Sequence, residues 1–121
     1  DHQPHEEDAK LAPFPVTEPG ISAMETLLPL VLRLTEEGVM DLSAAIARLT
    51  SGPARILGLA SGSLAPGGIA DVCIFDPHAR WRVSAETLVS QGRNTSFLGQ
   101  EMRGRVSWTL LAGRIVFQRN R

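Results

Sequence analysis

The sequence predicts a mixed α/β chain, with a helical first half followed by a small β half. Three observations carry this expectation. Met24, Leu27, Leu28, Val31, Leu32 and Leu34 recur at helical spacing. Leu42, Ile46 and Leu49 repeat the pattern behind Asp41, a natural helix cap. From Ala70 onward the grammar changes to β-branched and aromatic residues separated by glycine turns.

The elements follow in order. Residues 6–20 carry Glu6, Glu7, Asp8 and Lys10, then Pro15, Pro19 and Gly20, and read as an exposed loop. A first helix begins after Ile21 and stops at Gly38, with Pro29 expected to kink it or displace one hydrogen bond because proline lacks the amide donor. A second helix follows Asp41. A third starts around Ser51 and Pro53, carries Ala54, Ile56, Leu57 and Leu59, and is expected to end before Gly62. After the turn signals Ser61-Gly62-Ser63 and Pro66-Gly67-Gly68, the run from Ala70 to Asp76 predicts a short strand closed by Asp-Pro. Trp81, Val83, Phe97, Val106, Trp108, Ile115, Val116 and Phe117 suggest further strands, and Leu111-Ala112-Gly113-Arg114 turns 106–110 back onto 115–118 as a hairpin. No internal repeat is present.

Composition narrows the function classes. The 121 residues are 43% hydrophobic, enough for one ordinary core, and the net charge is −1 from interspersed acids and bases. There is no basic stripe of the kind a phosphate backbone requires, so nucleic acid is not an expected partner. Cys73 is the only cysteine, which excludes an internal disulfide or a cysteine-based zinc site; its apolar setting predicts a buried small hydrophobe. No export segment or bilayer-length apolar run occurs, so the expectation is a cytoplasmic protein without a membrane partner.

The chemistry is concentrated in the first residues. Asp1-His2-Gln3-Pro4-His5 places one carboxylate and two imidazoles in five positions. A carboxylate can bind a divalent metal or take a proton, and histidine can bind a metal or hydrogen-bond an anion near neutral pH. The alternative is a solvated, frayed terminus, where polar residues need no special explanation.

Several ordered motifs then resemble one family. Asp1-His2-Gln3-Pro4-His5, the acidic run from Glu6 to Lys10 with Phe14 beyond it, and Pro19-Gly20-Ile21-Ser22-Ala23-Met24-Glu25-Thr26-Leu27-Leu28-Pro29-Leu30 come first. Leu49-Thr50-Ser51-Gly52-Pro53-Ala54, Leu64 to Val72, Gly92-Arg93-Asn94-Thr95-Ser96-Phe97, Gly104-Arg105-Val106 and Gly113-Arg114-Ile115-Val116 follow. Together they resemble the C-terminal portion of a long-type bacterial dihydroorotase, in the cyclic amidohydrolase superfamily. Hydantoinases and allantoinases share much of this grammar.

The resemblance implies an α/β fold: the C-terminal fragment of a metal-dependent (β/α)8 TIM barrel plus part of a small β-sandwich domain. Residues 1–60 would supply the end of barrel strand eight, the substrate loop and the terminal barrel helices. Residues 61–121 would supply mainly the small β domain. The implied reaction is the zinc-dependent, reversible cyclisation of N-carbamoyl-L-aspartate to L-dihydroorotate with loss of water.

By resemblance Asp1 is the metal-associated general base, facing a zinc-bound water whose proton a carboxylate can accept. His5 is assigned to the substrate carboxylate, and Pro19 and Gly20 to the loop touching the ring. His2 has no firm assignment, and Gln3 departs from the small alanine common in the related motif. One or two zinc ions are expected, their remaining ligands lying upstream; no His-x-His pair occurs among the 121 residues. These residues alone are expected to be inactive, to need the N-terminal barrel portion, and to act on a small-molecule substrate in a homo-oligomer. Silent homologues make a scaffold for aspartate carbamoyltransferase the alternative role.

Overall fold

The computed structural model describes residues 1–119. Two 3₁₀ turns, Glu7–Lys10 and Phe14–Val16, precede the helices α1 (Met24–Glu36), α2 (Leu42–Leu49) and α3 (Ser51–Leu57), and the strands β1 (Val72–Arg82), β2 (Glu101–Leu111) and β3 (Arg114–Gln118). The strands form one antiparallel sheet in the order β1-β2-β3, and α1 packs on β2 while α2 packs on α1 and α3.

The helices end where backbone chemistry dictates. Asp41 caps α2 by accepting the Ala44 amide at 2.7 Å, satisfying one of the first-turn donors that a helix leaves free. Gly38, at φ +73°, follows α1. α3 stops at Gly58, which adopts the left-handed conformation at φ +66°, so this helix is shorter than the Gly62 boundary expected from sequence. Pro29 lies on the buried face of α1 and the helix runs through it.

β1 departs from its expected end at Asp76-Pro77. It continues to Arg82 because the ladder absorbs the proline in an irregularity: Asp76 pairs with Arg105 and Arg80 with Arg103, leaving Pro77, His78 and Ala79 opposite Gly104. Phe97, expected in a strand, lies in the loop before β2. The hairpin between β2 and β3 is the expected one. Ala112 and Gly113 both have positive φ, +47° and +78°, and the Ala112 and Gly113 amides are held by Asp71 Oδ1 and the Ala70 carbonyl.

Gly104 sits at the helix–sheet contact. Its φ is +94°, and a Cβ there would lie 2.3 Å from Leu32 Cδ1, so the missing side chain is what lets α1 approach the sheet. Its carbonyl accepts Trp81 Nε1–H at 3.0 Å. Beside it, Arg103 joins the Glu36 carboxylate at 2.6 Å and lies 3.1 Å from His78 Nδ1, linking the end of α1 to the irregular stretch of β1.

The core is small. Trp81, Val83, Leu88 and Met102 are buried together, with Leu30 and Phe97 packed against them. Cys73, on β1, is exposed rather than buried, and partial desolvation raises its thiol pKa. Apolar surface is abundant elsewhere, with Phe14 94%, Ile56 82% and Leu64 79% exposed, and Leu27 of the α1 stripe half exposed. The total accessible surface is 8755 Å². A folded monomer of this mass typically shows about 6,400 Å². Among the described residues no helix is long and apolar enough to cross a membrane.

Gly104→Ala is expected to cost about 2–4 kcal/mol from positive-φ strain plus overpacking, measured by denaturant unfolding of the intact protein; adding Leu32→Ala should recover part of the loss by removing the Leu32 Cδ1 clash. Ala112→Gly should stabilise by about 0.5–1 kcal/mol, because glycine adopts the turn conformation without the Cβ penalty.

Candidate functional site

The segment Asp1–His5 has no regular structure of its own and is held by three separate parts of the chain. The first is α1. Ala23, at the helix N-cap position, has no side-chain cap to offer, and the His2 ring fills that role: Nδ1 accepts the Ala23 and Met24 amides at 3.1 and 3.2 Å. A ring nitrogen that accepts two amides carries no proton.

The second support is the loop around Pro19 and Gly20. His5 Nε2 lies 3.2 Å from the Pro19 carbonyl, which can only accept, so this nitrogen donates. The Gln3 amide donates to the Ile21 carbonyl at 2.9 Å. Gly20, at φ +81°, has the Gln3 side chain lying directly on its Cα. Farther out, Lys10 Nζ donates to the Glu18 carbonyl and Thr17 Oγ1 to the Ala12 carbonyl, closing 9–18 on itself.

The third support comes from the far end of the chain. Half-buried Asn94 accepts the His5 amide on Oδ1 at 2.7 Å and donates through Nδ2 to the Gln3 carbonyl at 2.9 Å, with the Gly20 carbonyl at 3.5 Å. Its own carbonyl accepts the Ser22 amide at 3.2 Å. Two positions earlier, a Cβ on Gly92 would lie 2.3 Å from Pro4 Cβ and 2.8 Å from the His5 amide nitrogen, so only glycine lets the two segments touch. Glu25 adds a parallel tie by accepting the Val89 and Ser90 amides at 2.9–3.0 Å.

The fold therefore brings His5, Pro19 and Gly20 together. Asp1 stands apart from them and is exposed; among the described residues its Oδ1 accepts only the adjacent His2 amide, at 3.2 Å. A cavity of about 480 Å³, lined by His2, Glu25, Trp81, Ser90, Arg105 and Arg119 among others, borders the motif through His2 alone. Sequence reasoning did not single out Asn94, Gly92 or Glu25 as site residues. An asparagine in a polar loop can imitate backbone hydrogen bonding, which was the one available signal, but nothing in a sequence says that its partners lie about ninety positions away.

The residues present do not make a metal site by themselves. Among the described residues no group of three or more His, Cys, Asp or Glu is placed to hold a metal ion. Asp1 offers one carboxylate. The nearest imidazole, His2, has its unprotonated nitrogen occupied by the α1 amides, so it has no free lone pair for a cation.

Comparison with known proteins agrees with the chain's motifs. Residues 21–117 match the model of the amidohydrolase family. A dihydroorotase-like protein of Pseudomonas putida is 50% identical over 114 residues, covering 94% of this chain and 27% of that protein. One of Pseudomonas aeruginosa is 47% identical, covering 97% and 27%, and a dihydroorotase of Pelobacter propionicus is 44% identical, covering 98% and 28%. Among solved structures, a D-hydantoinase (dihydropyrimidinase) from Thermus sp. superposes with a TM-score of 0.86 at 27% identity, over 98% of this chain and 27% of that one. The chain thus spans about a quarter of the length of the proteins it matches. The α/β architecture seen here corresponds to part of their larger fold.

Asn94→Ala removes the acceptor of the His5 amide and the donor to Gln3. The expected loss is about 1–3 kcal/mol, together with faster hydrogen exchange at the His5 amide. Asn94→Asp keeps the acceptor but turns the donor into a second acceptor facing the Gln3 carbonyl, so it should restore His5 protection without restoring full stability.

Proposed function

The chain belongs to the amidohydrolase family, and from that membership we propose that the whole protein is a dihydroorotase-like subunit that acts as a structural scaffold for aspartate carbamoyltransferase. In this reading residues 1–60 supply the end of barrel strand eight, the substrate loop and the terminal barrel helices, and residues 61–121 supply part of the small β domain. The observation that supports it is the use made of the motif's polar atoms. His2 Nδ1 caps α1, His5 Nε2 is spent on the Pro19 carbonyl, and Gln3 lies against Gly20 on the side where a side chain would stand. Groups that a ring ligand would need are holding the loop instead. The names of the two Pseudomonas relatives point the same way, since both are dihydroorotase-like proteins.

The apolar residues left exposed on the loop and on α3, Phe14, Ile56 and Leu57 among them, favour completion by more protein. We assign that completion to an N-terminal barrel portion, followed by homo-oligomerisation of the completed barrel.

A catalytic reading is favoured by one observation: the Asp1 carboxylate is exposed and, among the described residues, accepts a hydrogen bond only from the neighbouring amide. In that reading the protein interconverts N-carbamoyl-L-aspartate and L-dihydroorotate, or opens a related hydantoin-type ring. Asp1 accepts the proton of the attacking water on hydrolysis and returns it on ring closure. His5 takes the substrate carboxylate after releasing Pro19, and Pro19 and Gly20 meet the ring. Zinc remains an expectation of the resemblance, with ligands supplied by residues other than these.

The intact polypeptide distinguishes the two. Zinc content, dihydroorotate hydrolysis, the reverse cyclisation of N-carbamoyl-L-aspartate, and co-elution with the catalytic chain of aspartate carbamoyltransferase are measured together. The scaffold reading expects a stable complex and no turnover. Zinc-dependent turnover that falls by about 10²–10⁴ in Asp1→Asn, the usual worth of a general base, would overturn it and establish the catalytic reading.

A further inference from the structure

We propose that Gln3 is a specificity-determining residue of the Pro19–Gly20 loop, its side chain occupying the place from which a ring would have to approach Gly20. The inference rests on the reading of Pro19 and Gly20 as the loop that meets the ring, and it deepens that reading by naming what closes the approach.

The geometry is direct. A Cβ built on Gly20 would lie 1.6 Å from Gln3 Oε1, 2.5 Å from its Cδ and 2.7 Å from its Cβ, so the Gln3 side chain lies along the Gly20 Cα from root to carboxamide. Glycine is the residue that permits close approach of a ligand to backbone, and here that opening is filled from within the chain. The direction of the Gln3 side chain is set by its backbone, which is pinned on both sides. Its amide donates to the Ile21 carbonyl and its carbonyl accepts Asn94 Nδ2, both at 2.9 Å. Pro4 then follows, restricting the Gln3 backbone to extended conformations.

The rest of the loop leaves little else for a ligand. Pro19 has no amide hydrogen, its carbonyl faces His5 Nε2 at 3.2 Å, and the Gly20 carbonyl faces Asn94 Nδ2 at 3.5 Å. Pro19 and Gly20 are both exposed, and a planar cyclic amide approaching from the side where a Gly20 side chain would stand meets Gln3. A short side chain in place of Gln3 would leave that side open.

The test uses the intact polypeptide and L-dihydroorotate as the probe, with affinity measured by calorimetry. Gln3→Ala and Gln3→Ser both remove the cover and are expected to gain about tenfold or more in affinity over the wild type. Gln3→Met keeps the volume without the carboxamide and should bind as weakly as the wild type. A folded Gln3→Ala protein with wild-type or weaker affinity overturns the inference, weaker binding showing that the carboxamide recognises the ring instead of excluding it. Hydrogen exchange on the wild type gives a readout that no variant's folding can spoil. Saturating dihydroorotate should leave the Gly20 amide unprotected, and protection there would also overturn the inference. Turnover is read on the wild type and occlusion on the difference between variant and wild type, so the scaffold reading and the role of Gln3 fail separately.

Discussion

The close approach of α1 to the sheet at Gly104 is the contact on which the rest of the arrangement depends. A left-side φ of +94° and the absence of a Cβ allow Leu32 to seat against the β2 backbone, while the same residue's carbonyl holds the Trp81 indole. Overpacking at such a contact cannot be relieved cheaply, because interiors are as dense as organic crystals. Once α1 is seated, its N-terminus has a fixed position. That end of the helix, with free amides at Ala23 and Met24, is what His2 grips. The motif's placement is therefore inherited from a packing contact at the opposite end of α1.

Asn94 performs the complementary task from the other side. One carboxamide, with an acceptor and a donor in fixed relation, satisfies backbone groups of two residues in the motif and faces a third group in the loop. Two extended segments without regular structure would otherwise lose these hydrogen bonds to water and gain back their conformational freedom. Glu25 ties the first turn of α1 to the same downstream segment. The helical and β halves are consequently joined twice, through apolar packing at Gly104 and through polar ties at Asn94 and Glu25.

Surface charges add little to this joining. The Arg103–Glu36 pair, with both side chains about 40% exposed, bridges α1 and β2. Pairs of that exposure contribute about 0–1 kcal/mol. Burial is limited as well, since the cluster around Trp81 contains four buried side chains and large apolar residues of α3 and the 3₁₀ turns face outward. The hydrophobic term that dominates folding is thus only partly collected within these residues.

Local chemistry was legible in the sequence by itself. Asp41 names its own helix start, Ala112-Gly113 names its hairpin, and the helical spacing from Met24 to Leu34 names α1, because each signal acts within a few residues of itself. The ordered motifs likewise carried the family. What tertiary structure alone decided is how the motif residues are used. The register irregularity that carries β1 through Pro77 exists only opposite Gly104 on another strand. Cys73 is exposed, which its apolar neighbours in sequence could not reveal. Asn94, about ninety residues from its partners, and Gln3, folded onto Gly20, acquire their roles through hydrogen bonds and contacts between distant segments, and such contacts leave no periodicity in the chain to read.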